Sequence, residues 1–201
     1  MKALPVLALL LLAIGGGAYY QLFYPPKVLE RETETALAAL STAVLSHDRA
    51  KVSAALQDSL MDTAKIHLEV RLYSVTQMDG GKPAIQDFTK ADFITFIDNV
   101  LYPLTEYSYQ PELQSFTLSP DRKSAAVTFT SREFADGTEQ YSGTAVGMRY
   151  SSETDCTGQV VFEPKKVLLD NVSCNVRMSI VPRPEEAYKL RDQEALRQYL
   201  R

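Results

Sequence analysis

The chain has 201 residues, 45% of them hydrophobic and 23% charged, with a formal net charge of −4 at pH 7. That length fits one folded domain with residues to spare for a membrane segment, and the composition excludes wholesale disorder. Nucleic-acid binding is excluded on charge, because no basic stripe interleaved with aromatics supplies the electrostatic footprint it needs.

Residues 3–24, ALPVLALLLLAIGGGAYYQLFY, carry no charge. As a helix they would reach about 33 Å at 1.5 Å per residue, enough to cross a bilayer core. Lys2 in front of them sets the N-terminus on the cytoplasmic side, and Tyr19, Tyr20, Phe23 and Tyr24 gather where the far headgroup layer would lie. Pro25 and Pro26 then stop the helix. Residues 1–26 therefore predict one transmembrane signal-anchor. The rest of the chain is expected on the periplasmic, extracytoplasmic side of the cytoplasmic (inner) membrane. The alternative is a signal peptide cleaved near Gly16-Gly17-Ala18, with secretion to the periplasm. Either route exports the body.

The body spans residues 27–183, with a terminal helix over 184–201. From Val28 onward, Leu29, Thr33, Ala36, Leu37, Leu40 and Val44 recur at three- and four-residue steps, one apolar helical stripe. Ser46-His47-Asp48 breaks it, and Asp48 is a fitting N-cap for a second helix, RAKVSAAL. Ile66 to Val75 reads as a strand, and Asp79-Gly80-Gly81-Lys82-Pro83 as a turn. Thr89 and Asp92 form a capping box for the helix that follows, with Phe93, Phe96, Ile97 and Val100 as its buried stripe and Pro103 at its end.

Strands fill the next eighty residues. Tyr107 to Leu118 carries a phase break near Pro111-Glu112, read as a bulge. Ser119 to Lys123 is a hairpin turn, after which Ala125, Val127 and Phe129 face one way and Thr128, Thr130 and Arg132 the other. Asp136-Gly137 is the strongest short hairpin signal in the chain. EQYSGTAVGMRY and GQVVFE then read as strands, followed by a long one from Val167 to Val181. On that last strand Leu168, Val172, Cys174, Val176, Met178 and Ile180 share one parity. Pro184 suits the first position of the closing helix, which has Glu185 and Glu186 near its start.

Cys156 and Cys174 are the chain's two cysteines. Two cannot make a structural zinc site alone, which takes four ligands, and the two histidines show no ligand spacing, so no metal and no cofactor is expected. They are not a C-x-x-C redox pair either. One disulfide is the reading left in an oxidising compartment, with two buried thiols as the alternative.

The order of these elements, with LSHDRAKVSAAL, DFTKADFITFIDNVL and LSPDRKSAAVTF, resembles the nuclear transport factor two-like superfamily, also called SnoaL-like or cystatin-like. The resemblance covers about Leu29 to Pro182. It implies an α+β fold in which a curved antiparallel sheet wraps around N-terminal helices as a cone with an internal cavity. The residues alone give α+β with a segregated antiparallel sheet. The Asp-Gly-Gly-Lys-Pro loop departs from the pattern and reads as an inserted hairpin. A homodimer through the open sheet face is a further implication of the resemblance.

Enzymes of that superfamily place an acid and Tyr or Asp donors in the cone. Glu133 shares the parity of Val127 and Phe129, Asp170 that of Leu168 and Val172, and Tyr107 and Tyr109 sit where the mouth would be. A carboxylate in such a cavity would hold its proton more tightly and act as a general base. Both acids also fall near strand ends, where the same face reaches solvent. His67 sits on a strand beside Leu68 as a possible base, and His47 lies in a helix–helix turn in solvent. Arg132, Arg149 and Arg177 would gather an anion if the strands brought them together, or else line a salt-bridged outer face. No Ser-His-Asp arrangement and no phosphate-cradling loop is present in the pattern. The expectation is a membrane-tethered, extracytoplasmic, non-catalytic binding or assembly module with a protein partner. The alternative is a small-molecule enzyme or a carrier of a small apolar ligand.

Overall fold

The computed structural model describes residues 26–74, 81–101, 104, 106–141, 143–164 and 166–190. The predicted anchor at 3–24, Pro103 and the terminal helix beyond 190 lie outside the described residues. Among those described, no helix is long and apolar enough to cross a membrane.

Helix α1 covers 26–45. Its predicted stripe is the side turned inward, with Thr33, Leu37 and Val44 buried. Thr33 tolerates burial because its hydroxyl donates to the Leu29 carbonyl at 2.8 Å. His47, at φ 53°, turns the chain, and Asp48 caps α2 (Arg49–Ser59) by accepting from the Ala50 and Lys51 amides at 3.0 and 3.2 Å. Strands β1 (Lys65–Ser74) and β2 (Ala84–Thr89) form an antiparallel hairpin, with Lys65 opposite Thr89. Helix α3 (Lys90–Leu101) starts on the predicted capping box: the Asp92 amide donates to Thr89 Oγ1 at 3.3 Å, and that hydroxyl donates to Asp92 Oδ2 at 2.7 Å. Phe93 and Phe96 pack on Phe88 of β2, ring centroids 5.9 and 4.9 Å apart. The stripe is turned slightly from the expected one. Ile94 packs against the core, whereas Val100, one residue from the end of the helix, is 38% exposed.

Four long strands complete the molecule: β3 (Glu106–Leu118), β4 (Ser124–Tyr141), β5 (Thr144–Glu163) and β6 (Lys166–Pro182). They join β1 and β2 in one curved six-stranded sheet of order β2-β1-β6-β5-β4-β3. All neighbours are antiparallel except β1 and β6, which run parallel from Ile66↔Val172 to Ser74↔Ile180. The core lies between the sheet's inner face and the helices. Leu37, Val52 and Leu56 meet Ile66, Val127, Phe129 and Val160 there. Cys156 and Cys174 stand directly opposite each other on β5 and β6, both buried, and form a disulfide.

Three local expectations are corrected. The hairpin is not at Asp136-Gly137: β4 runs through it, and the chain reverses between Tyr141 and Thr144, where Gly143 adopts φ 84°. Asp136 is held instead by Arg149 at 3.5 Å, and a Cβ on Gly137 would meet the Tyr150 ring at 3.0 Å, so any larger residue there must push the ring aside. β5 is likewise one strand, not two. The bulge in β3 falls between Leu113 and Ser115, and Pro111 pairs regularly with Ser131.

β6 carries the bulge with the largest consequence. Asn171 and Val172 together stand opposite Gly158, and Asn171 takes φ 49°. The extra residue reverses the parity of everything before it. Val172, Cys174 and Val176 face the core as expected, but so do Val167 and Leu169, while Leu168 does not join them.

Candidate functional site

Strand alternation sets the site. Along β4, Ala125, Val127, Phe129, Ser131 and Glu133 all point inward. Tyr109 on β3 and Ser152 on β5 are the direct cross-strand neighbours of Glu133. The inner face thus turns from apolar to polar over two residue pairs. Ser131, Ser152 and Thr154 are buried in this belt.

Glu133 is enclosed by hydroxyls. Ser152 Oγ donates to Oε2 at 3.0 Å and Ser131 Oγ to Oε1 at 3.4 Å. The residue retains some surface, yet desolvation at its carboxyl outweighs the serine hydrogen bonds, so its pKa is raised above the ordinary glutamate value. Burial also raises Tyr107 and Tyr109 well above the usual phenol range, with the Glu133 charge adding to it.

The linkage follows from that direction. Native Glu133 holds its proton more tightly than the unfolded chain does. Its stabilising contribution is complete below the unfolded carboxyl range and disappears as pH rises through the native pKa. Glu133→Gln is therefore expected to gain in melting temperature relative to the parent by about 3 °C between pH 4 and pH 8. Parallel melting-temperature curves for the two proteins across that range would show that the carboxyl is not desolvated.

Beside Tyr107 lies a cavity of about 250 Å³ at the open end of the cone. Val44, Val52, Leu56 and Ile94 supply its apolar wall, and His47, Arg49 and Asp98 its rim. Arg49 grips Asp98 with both Nε, at 2.5 Å, and Nη2, clasping the start of α2 to α3. The Arg49 guanidinium holds the Asp98 carboxyl below the usual range. Among the described residues no group of three or more His, Cys, Asp or Glu is placed to hold a metal ion.

Of the residues singled out from sequence, the structure brings Tyr107, Tyr109 and Glu133 together. His67 lies on the other face of β1 from Ile66 and Leu68, with Nδ1 2.7 Å from Asp87 Oδ1. Asp170 precedes the β6 bulge and so faces away from Val172; its Oδ2 accepts from Asn171 Nδ2 at 2.8 Å. Arg149 and Arg177 do not converge on an anion. Arg149 pairs with Asp136 and stacks over Phe134, while Arg177 lies 3.5 and 3.2 Å from Glu153 and Asp155. His47 is exposed, as expected of a turn, but also borders the cavity. Sequence reasoning missed Ser131, Ser152 and the Arg49–Asp98 clasp. Ser131 was within reach, since it shares parity with Phe129 and Glu133.

A curved sheet closed around helices, with a polar belt and a cavity at its open end, defines a cone-shaped α+β fold of the nuclear transport factor two-like kind. Solved structures bear this out at the level of fold. A protein of Novosphingobium aromaticivorans provisionally assigned as a scytalone dehydratase aligns with TM-score 0.53 and 8% identity, over 76% of this chain and 86% of its own. One from a Novosphingobium aromaticivorans strain, provisionally assigned as an aromatic ring hydroxylase, aligns with TM-score 0.50 and 13% identity, over 78% and 94%. No family model and no curated protein matches the sequence. Identities this low speak for the fold and for nothing finer.

Proposed function

We propose that the chain is a membrane-tethered, extracytoplasmic binding module whose cone takes a small, mainly apolar ligand without reacting with it. One observation carries the reading: the cavity has an apolar wall, and the two carboxylates nearest it are already engaged. Asp98 is held in the Arg49 fork, and Glu133 accepts from Ser152 and Ser131. A general base needs a lone pair aimed at substrate, and here the lone pairs are aimed at protein. The tether rests on the uncharged residues 3–24, and export agrees with the disulfide. Insertion in the inner membrane with the body in the periplasm is the preferred arrangement; cleavage and release to the periplasm is the alternative. The terminal segment 184–201 and a second copy of the chain are the candidate protein contacts.

A second reading, a small-molecule enzyme, draws on one feature. A carboxyl of raised proton affinity, with Tyr109 directly opposite it across the strands, is a workable acid–base pair. The names of two structural neighbours, a dehydratase and a ring hydroxylase, belong to those proteins.

The test uses protein purified from membranes in mild detergent, with toluene as the probe. Toluene is expected to raise the melting temperature of the parent and not that of Ile94→Trp, whose indole fills the cavity. Equal shifts in both would remove the cavity from the reading. An impermeant amine reagent added to spheroplasts is expected to label the body; labelling only after lysis would remove the export.

A further inference from the structure

Given the tether proposed above, the fold dictates which end of the cone meets the bilayer. The aromatic belt ends at Tyr24, and Pro26 already belongs to α1. The step from Tyr24 to Pro26 covers at most about 7 Å, so the start of α1 cannot leave the headgroup layer. From there α1 rises about 30 Å over 26–45, at 1.5 Å per residue. It runs along the strands. Thr33, Ala36 and Leu37 border Val160 and Val167 near its start. Further on, Ser41 Oγ donates to the Tyr109 carbonyl at 2.7 Å, and Val44 reaches the cavity.

Two hairpin turns stand at the same end as the start of α1. Leu118 opposite Ala125 closes β3 onto β4, and Glu163 opposite Lys166 closes β5 onto β6. The Phe162 amide donates to the Lys123 carbonyl at 2.9 Å and joins the two turns. This end presents Lys27, Arg122, Lys123 and Lys166, all exposed. Lys166 is bonded to Asp58 at 2.9 Å, whereas among the described residues no ion pair engages Lys27, Arg122 or Lys123. Of the acids in the turns, Asp121 accepts from the Ser119 hydroxyl at 2.6 Å and the Lys123 amide at 3.1 Å, and Glu163 is exposed. The opposite end of the sheet is acidic: Glu106 stands opposite Asp136, and Glu139 lies beyond it on β4. Uncommitted cations are drawn to an anionic bilayer surface within a Debye length, and an acidic end is driven from it.

We propose that Lys27, Arg122, Lys123 and Lys166 seat this end of the cone on anionic headgroups of the membrane that holds the tether. The cavity, at the far end of α1, then opens about 30 Å from the bilayer and draws its ligand from the aqueous side.

The test uses the full chain in vesicles of phosphatidylcholine alone or mixed equally with phosphatidylglycerol. A water-soluble acylating reagent is added, and mass spectrometry reads the rate at each lysine relative to its rate in detergent. Lys51, next to the cavity rim, is the reference. On the mixed vesicles Lys123 and Lys166 are expected to react about fivefold more slowly, the worth of one basic residue at an anionic surface, with Lys51 unchanged. On phosphatidylcholine alone the slowing is expected to vanish. In Arg122→Glu/Lys123→Glu, confirmed folded by its melting curve, Lys166 is expected to react on mixed vesicles as it does in detergent. Parent lysines that stay as fast as in detergent, in a chain that floats with the vesicles, overturn the inference and leave the tether standing. Equal slowing on both lipids, or slowing of Lys166 that survives in the double variant, overturns the anionic contact. Lysines already slower than Lys51 in detergent and unaltered on vesicles point to a second copy of the chain on this end and overturn it as well. A chain that does not float with the vesicles removes the tether, and this inference with it.

Discussion

Replacing Cys156 and Cys174 together by alanine is expected to lower the unfolding free energy by about 3 kcal/mol, the loop-closure entropy released by a cross-link of this span. The two residues are separated by 18 positions and both sulfurs are buried on the inner face. For a chain of this size the loss corresponds to a fall in melting temperature of roughly 6–12 °C. Denaturant melts with and without a strong reductant are expected to reproduce the difference in the parent and not in the double variant. The consequence is local as well as global. Cys156 is the cross-strand neighbour of Phe129, and Cys174 that of Leu68, so the bond fastens the middle of the sheet where the helices press on it. A parent protein indifferent to reductant would falsify the bond as a native feature.

Lys90→Met is expected to cost about 2 kcal/mol, within the range for leaving a buried backbone acceptor unpaired. Lys90 is only 8% exposed although it opens α3. Its ammonium donates to the Leu60 carbonyl at 2.7 Å and to Asp62 Oδ1 at 2.9 Å. These two partners are not equal. The Asp62 side chain is almost wholly in water, where an ion pair contributes little, whereas the Leu60 carbonyl loses its side-chain donor in the interior. Asp62→Asn is therefore expected to be near neutral by urea melts, and Lys90→Met several-fold worse. The reverse order would place the energy in the ion pair. Because Lys90 joins the end of α2 to the start of α3, its loss is also expected to loosen the walls that carry Leu56 and Ile94.

What the sequence made legible was local. The α1 stripe, the Asp48 cap and the Thr89–Asp92 box are decided within one or two turns of helix, by spacing and by side chains that reach their own backbone. Glu133 was legible for the same reason, since two-residue alternation carries it to the face of Val127 and Phe129. What failed was set at a distance. Asp136-Gly137 has ideal turn chemistry, yet Tyr150 and Leu104 close over Gly137 and Arg149 holds Asp136, so strand pairing overrides the turn. Asp170 was assigned to the core by counting parity through Asn171, where a single extra residue inverts the count. His67 meets its partner Asp87 only across the β1–β2 hairpin, a neighbour that spacing along one strand does not reveal. The Arg49–Asp98 clasp unites positions 49 residues apart and has no sequence signature at all.

The parallel pairing of β1 with β6 also governs when this chain becomes a folded object. Leu68 waits for Cys174 and Val70 for Val176, so the earliest strand finds its second neighbour only after nearly everything else has been synthesised. Until then the molecule is two fragments, a hairpin at one end and a growing meander at the other, with greasy edges uncovered. Contacts of such long range make assembly slow. A nascent chain truncated before residue 166 would lack the strand that joins its two sheet fragments, leaving only the helices to hold them, and chaperones or proteases would meet it first.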